Sequence, residues 1–386
     1  MLSKIVGIWL LLISVCFGAS ANSPSANSIV ALTQQNTQGQ YTSMVLDGQG
    51  NPVISFYNAT DEKLEIAHCV DNDCTRVNKV LTPDTTTDVG KYSSLALDAD
   101  GNPVISYYDE ANTTLRILHC GNTSCSTNNK ISIPDKDGNV GKYTSLTIDS
   151  HGWPVVSYYD ASKGILKILH CGNAACTHDN SIATPDLSSS NGVESSIQLN
   201  SNGNPVVAYF DFSDSSLKIL VCGNPDCSAG NKINTVESIG EVGRYPSLAL
   251  DKNGFPAVSY LDLTNGKLKV LRCGNATCSR GNTIVPVGSG AVVGYYSSLK
   301  IGANNIPVVS YYDKTNGDLN ILECGNSSCS SNNVILAPDT RGDVGLYTSM
   351  MLDLHGYPII SYYDASNGKL KVLHCHNYHC STGTSS

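Results

Sequence analysis

Arginine is scarce in this chain, six residues in 386, and acidic side chains outnumber basic ones by 33 to 24, for a formal net charge of −9. Nucleic-acid binding depends on clustered Lys and Arg, so this balance argues against a nucleic-acid partner. Phenylalanine, methionine and tryptophan are also rare, at 5, 4 and 2 residues, against 20 tyrosines. Long apolar runs are missing except at the start, where Ile5 to Phe17 follows Lys4 and precedes Ala19-Ser20-Ala21. That segment reads as a secretory signal peptide cleaved near Ala21, and it is too short for a membrane span. The chain is therefore expected to be secreted or periplasmic, with no transmembrane segment. No 3.6-residue apolar stripe appears, which excludes amphipathic helices. Nucleophile and oxyanion motifs are absent too, and no cofactor is expected.

Cysteine is plentiful. Cys16 would leave with the signal, and the other fourteen form seven pairs of one spacing: Cys69 with Cys74, Cys120 with Cys125, Cys171 with Cys176, Cys222 with Cys227, Cys273 with Cys278, Cys324 with Cys329, and Cys375 with Cys380. An even count in an exported chain reads as disulfides, one per hairpin, with Cys171 closing a third strand and Cys176 opening a fourth. Directly opposed residues of an antiparallel pair lie about 4.5–5.5 Å apart, within disulfide reach. Gly172 and its equivalents are expected to supply the permissive turn backbone. Zinc would need about four converging ligands. The histidine before the cysteine (His68, His119, His170, His374) becomes Val221, Arg272 and Glu323 elsewhere, too variable for a required ligand. "HCHNYHC", with His374, His376 and His379, offers donors for a transition metal but reads first as solvated loop histidines, so no metal is assigned.

The cysteines advance by 51 residues without insertion or deletion, and the rest of the chain keeps that register. FYN 56–58, YYD 107–109, YYD 158–160, YFD 209–211, YLD 260–262, YYD 311–313 and YYD 362–364 all fall on it. A strict period of this length means stacked or circular units. Each unit reads as four short strands: in the third, YTSLTID, PVVSYYD, ILKILHC and NSIATPD, separated by Gly-, Asn- and Asp-rich turns. The seventh unit lacks its fourth strand, whereas SIVALTQ, residues 28–34, is a fourth strand without the first three. A closed ring needs that complement and an open stack does not. The expected fold is all-β: a seven-bladed β-propeller, four antiparallel strands per blade, closed by the N-terminal strand. Its expected divisions are a signal peptide (1–21), a linker (22–27), the propeller (28–380) and a tail (381–386).

The repeat, roughly GNPVISYYD followed by LKVLHCGNxxCS, resembles secreted bacterial seven-bladed propellers, a group that includes sugar-binding lectins and lies near the sialidase-like propellers. The resemblance implies a repeat type rather than an activity. The sialidase signature S-x-D-x-G-x-T-W is absent from every copy, no arginine trio occupies equivalent positions, and no catalytic residue carries over. In propellers of this resemblance the first strand lines the channel. That implies a mouth ringed by Tyr41, Tyr92, Tyr143, Tyr245, Tyr296 and Tyr347 together with Asp109, Asp160, Asp211, Asp262, Asp313 and Asp364, with the disulfide loops on the opposite face.

Tyrosine combines an apolar face with a hydroxyl tip, as sugar recognition demands. The competing reading is architectural: Ser-Tyr-Tyr-Asp packs blade on blade while Asp bonds turn backbone. Departures from the repeat are then the informative positions. Glu194 stands where other copies carry tyrosine and is expected to face Asp211 across the hairpin, two carboxylates that could perturb each other. "DADGN" (98–102) and "DKDGN" (135–139) read as turns rather than calcium loops. A Lys or Arg in strand three (Arg116, Lys167, Lys218, Lys269, Lys371) reads as a solvated outer row. Three functions stay open: a binding protein, lectin-like or otherwise, for glycans or a surface partner; a glycoside hydrolase or lyase using Glu194 and Asp211; and a structural or adhesive scaffold. Oligomeric state is not legible in the sequence.

Overall fold

The computed structural model describes residues 26–33, 37–188, 190–288 and 292–381. The signal peptide assigned to residues 1–21 and the tail beyond 381 lie outside the described residues. Strands numbered β1 to β28 in chain order form seven four-stranded antiparallel sheets, one per blade. The third blade is typical: β10 (Val140–Ile148) is innermost, then β11 (Pro154–Asp160), β12 (Ile165–His170) and outermost β13 (Ser181–Ala183). The final sheet confirms ring closure. Its outer strand is β1 (Ser28–Ala31), paired with β28 (Lys369–His374) from Ser28 opposite His374 to Ala31 opposite Lys371.

Five of the seven inner hairpins are set by an aspartate; the fourth uses Asn200 in the same way and the sixth has Gly302. Asp149 Oδ1 accepts the N–H groups of His151 and Trp153, both at 2.8 Å, and Gly152 takes φ +80°. Asp98 does the same for Asp100 and Asn102, so "DADGN" is a turn as expected. His68, His119 and His170 reach back to these turns, with Nε2 2.9, 2.9 and 3.0 Å from Asp47, Asp98 and Asp149. They are anchored side chains, and so is His374, which is buried with Nε2 3.4 Å from Asp353 and is not the solvated loop histidine that the sequence suggested.

The core lies between blades. Val104, Leu115 and Ile117 of the second blade pack with Val140, Leu146, Val156 and Tyr158 of the third, and similar clusters recur around the ring. Each such buried aliphatic contributes about 1.5–3 kcal/mol. A belt of hydroxyls joins successive inner strands: Leu95 N–H donates to Ser43 Oγ at 3.0 Å, Leu146 to Ser94 at 2.9 Å, and the pattern passes through the closure as Met44 N–H to Ser349 Oγ at 3.0 Å.

All seven expected disulfides are formed, each within its own hairpin. Cys69 bonds Cys74 across a Cα separation of 5.0 Å, Cys120 bonds Cys125 across 4.7 Å, and Cys171 bonds Cys176 across 4.8 Å. The remaining four are Cys222 with Cys227 at 4.9 Å, Cys273 with Cys278 at 4.8 Å, Cys324 with Cys329 at 4.6 Å, and Cys375 with Cys380 at 4.7 Å. Two details differ from the sequence reading. Cys176 does not open the fourth strand. It ends a turn in which its N–H donates to Asn173 O at 3.0 Å, and the strand begins at Ser181. Cys125, Cys227, Cys278 and Cys329 close their turns in the same way, each donating its N–H to the carbonyl three residues before it. Nor is Gly172 the permissive residue, for Cys176 carries the positive φ, +53°. Gly172 is required by close approach: a Cβ there would lie 2.5 Å from the carbonyl oxygens of His178 and Asp179.

Strand three's basic residues are not solvated: Arg116, Lys167 and Lys218 are buried, and Lys269 and Lys371 are half-buried. Lys167 sits 2.9 Å from Asp135 of the preceding blade and 3.0 Å from Asp160 of its own, and Arg116 bridges Asp84 and Asp109 at 2.8 and 2.6 Å. The first tyrosine of YYD completes the cluster, as Tyr158 Oη donates to Asp135 at 2.7 Å. Alternation alone implies an outer row, but the neighbouring blade covers that side of the strand.

Candidate functional site

The inner strand begins earlier than the sequence suggests, at Val140 rather than Tyr143. The register pairs Val140 with Asp160 and Lys142 with Tyr159, then slips before Ser145 pairs with Ser157. Tyr143 is the bulged residue, at φ +54°. A bulge re-aims the side chain it carries. The same left-handed conformation holds Tyr41, Tyr92, Tyr245, Tyr296 and Tyr347, and also Glu194 at φ +55°. Left-handed backbone is unfavourable for such residues, so its recurrence at every blade marks a position the ring over-determines.

These seven side chains meet at the channel mouth around a cavity of about 210 Å³, floored by Thr42, Ser93, Thr144, Ser195, Ser297 and Thr348. Neighbouring rings pack like iris blades, with centroids 4.7 Å apart for Tyr41 and Tyr92, 4.5 Å for Tyr92 and Tyr143, and 4.6 Å for Tyr41 and Tyr347. The contact continues between Tyr296 and Tyr347 at 4.5 Å and between Tyr245 and Tyr296 at 4.7 Å. Burial raises the pKa of each of these phenols, and the Glu194 charge adds to the rise at Tyr143. They stay neutral, with hydroxyls able to donate and accept. Tyr57, Tyr108, Tyr159 and Tyr363 lie behind this ring, with centroids 6.3–6.5 Å away.

Glu194 breaks the iris. Its carboxylate accepts two hydrogen bonds from Arg244, Nε at 3.0 Å and Nη2 at 2.9 Å, and a third from the Tyr245 N–H at 2.7 Å. Bidentate pairing of this kind is strong and directional. Arg244 also lies over the rings of Phe210, Phe212 and Tyr245, 5.2–5.4 Å from their centroids. Burial works against its charge, yet the Glu194 bonds overcome that and raise its pKa. Arg244 is a site residue that the sequence reading missed. Its signal lies in the repeat: the copies carry Gln40, Lys91, Lys142, Val193, Tyr295 and Leu346 at this position, and arginine accompanies the one glutamate.

The aspartate half of the expected mouth does not exist. Asp109, Asp160, Asp211, Asp262 and Asp364 are fully buried and Asp313 nearly so. They cap the next hairpin and, except at Asp313, where strand three has Asn320, hold the strand-three cation: Asp364 accepts the Asn367 N–H at 2.9 Å and lies 2.7 Å from Lys371, and Asp211 accepts the Ser213 N–H at 2.8 Å and binds Lys218. Glu194 and Asp211 are consequently not brought together, because the hairpin register sets Asn191, not Glu194, opposite Asp211. Each carboxylate has its own cation.

A further channel-strand residue, Lys300, replaces the Val45, Ala96, Thr147, Gln198, Ala249 and Met351 of other copies. It has no ion-pair partner among the described residues, and burial lowers its pKa.

No protein-family model matches the chain, and no curated protein matches it in sequence. Solved structures do match in fold. A protein of unknown function from Dyadobacter fermentans aligns at TM-score 0.56 with 12% identity, over 90% of this chain and 97% of the other. The GH93 alpha-L-arabinofuranosidase of Fusarium graminearum, solved with arabinobiose, aligns at 0.52 with 9% identity, over 91% and 97%. At such identities the likeness concerns fold alone. Among the described residues, no helix is long and apolar enough to cross a membrane.

Proposed function

We propose that this chain is a secreted, lectin-like binding protein that holds the end of a glycan at the tyrosine iris. The observation that carries this reading is the iris itself. Six neutral phenols, raised from the strand by left-handed bulges, surround one cavity and present aromatic surface and hydroxyls together. Sugars need both kinds of contact, apolar C–H faces on aromatic rings and hydroxyls on hydrogen-bonding tips. The Glu194–Arg244 pair interrupts the repeat once, so the mouth has a single polar sector and would bind one ligand per ring rather than seven. Seven disulfides support export, since such bonds persist in oxidising compartments. The Glu194 and Asp211 pair of the hydrolase reading lacks the shared site that reading requires.

The test is a glycan array of neutral and acidic oligosaccharides, followed by calorimetry on the hits. Arabinobiose belongs among the probes because a protein of this fold was solved with it. A restricted set of ligands should bind at one per chain, and Tyr92→Ala should weaken them by about tenfold or more, the equivalent of one lost aromatic contact. Silence across the array, or affinity indifferent to Tyr92→Ala and Tyr347→Ala, would overturn the reading.

A further inference from the structure

We propose a divalent transition-metal site at the seam of the ring, formed by Asp73 of the first blade with His374 and His376 of the last. The three residues converge. Asp73 Oδ1 lies 2.8 Å from His374 Nδ1 and 2.6 Å from His376 Nε2, and one ligand atom from each falls within 4.8 Å of the other two. The imidazoles meet edge to face, centroids 4.7 Å apart and planes at 62°, so their nitrogens converge while the rings avoid stacking. His374 is buried, His376 and Asp73 partly so.

Both loops are pinned beside the ligands by disulfides: Asp73 adjoins Cys74 of one, and His374 and His376 flank Cys375 of the other. The other face of His374 is held as well, with Nε2 3.4 Å from Asp353 Oδ2. A carboxylate behind a ligating histidine fixes its tautomer and orientation. The donors are two imidazoles and one carboxylate oxygen, a set that suits zinc and its neighbours, whereas calcium takes oxygen ligands. Tetrahedral zinc at about 2.0–2.2 Å from each ligand would space the donors about 3.3 Å apart, so the cluster need open by well under about 1 Å.

The departure from the repeat is confined to the seam. Where the last blade has His376, the second to sixth have Gly121, Gly172, Gly223, Gly274 and Gly325. The same inter-blade junction one step earlier holds a single pair, Glu323 with His379 at 2.8 Å. Among the described residues, three such ligands gather only where the ring closes without a covalent link. Asn27, next to the closing strand, joins the same loop: its Oδ1 accepts the His376 N–H at 3.2 Å and its Nδ2 donates to Cys380 O at 2.7 Å. A metal here would tie the first and last blades directly and the closing strand through Asn27. Its binding energy would then be ring-closure energy.

The experiment uses the full chain without an affinity tag, stripped with a chelator and titrated with Zn²⁺. Calorimetry should give one ion per chain, and Zn²⁺ should raise the unfolding temperature, reversibly on chelation, whereas Ca²⁺ should not. Asp73→Asn and His376→Gln should each weaken binding at least tenfold, and His379→Gln should leave it unchanged. Should either ligand variant fail to fold, Co²⁺ loaded into the unaltered chain provides the second readout, through the visible absorption of a low-symmetry nitrogen and oxygen site. No saturable binding, binding indifferent to both ligand variants, or a featureless cobalt spectrum would each overturn the proposal.

Discussion

Single carboxylates decide how this protein meets acid. At Asp84, Asp135, Asp211, Asp262 and Asp364 burial favours the neutral form, but hydrogen bonds and nearby cations outweigh it and hold the pKa below the usual range. A group depressed in the folded state lends stability that is fully present above its unfolded pKa, about 3.9 for Asp, and disappears as pH falls through the folded value. Glu65 and Glu323 act in the opposite sense, because burial raises them and protonation relieves their cost. Asp318 is raised as well, but Asp47, Asp73, Asp98 and Asp149 are also depressed, so depressed carboxylates outnumber raised ones by nine to three and favour loss. The unfolding temperature should therefore stay nearly level from neutrality to about pH 5 and fall steeply below about pH 4. Asp135→Asn should lower the neutral plateau and shallow the acid limb, which thermal melts across pH would record. A melt curve that rises towards pH 3 would contradict the ion-pair account. At this scale the sequence is only half legible. Six tyrosines in register point to the mouth, but the aspartates beside them do not reveal that they turn inward.

Strand three shows why. A lysine on an alternating strand reads as outward, and period-two reasoning cannot see the next blade lying over it. What exposes the error is co-occurrence within the repeats. Where the preceding blade has Gly288 in place of an acid, strand three has Asn320 in place of lysine, and the first blade exchanges the whole set for Thr33, Phe56, Asn58 and Glu65. There Asn58 and Gln38 both donate to Glu65 at 3.0 Å, a neutral cradle around an anion instead of two anions around a cation. Such clusters join blades, and removing one member leaves its partners buried and uncompensated, at a cost of about 3–5 kcal/mol for an ion pair. Lys167→Met should thus cost about 3 kcal/mol in denaturant unfolding. The same change should cost less once Asp135 is Asn, since interacting residues are not additive. Equal costs in both backgrounds would show that Lys167 contributes through its aliphatic stem alone.

At the scale of the whole molecule, ring closure is legible because the 51-residue period leaves one strand missing at one end and one to spare at the other. The seam chemistry is not, because Asp73 and His374 lie 301 residues apart and only the closed ring makes them neighbours. Closure rests on a short strand, four residues long. Beyond its ladder, Leu32 N–H donates to Leu370 O at 2.9 Å, Thr33 Oγ1 accepts the Leu370 N–H at 3.2 Å, and Leu32 packs into the cluster that joins the last blade to the first. A chain beginning at residue 37 loses all of these and leaves β28 as an unpaired edge, which invites pairing with another chain. That chain should melt well below the intact protein and associate in a concentration-dependent manner, as light scattering coupled to size exclusion would show. A synthetic peptide of residues 26–33 should reverse both effects only at high concentration, because the covalent link makes pairing intramolecular and the free peptide does not. A truncated chain that stays monomeric with an unchanged melt would mean that six complete sheets and one of three strands already close the ring.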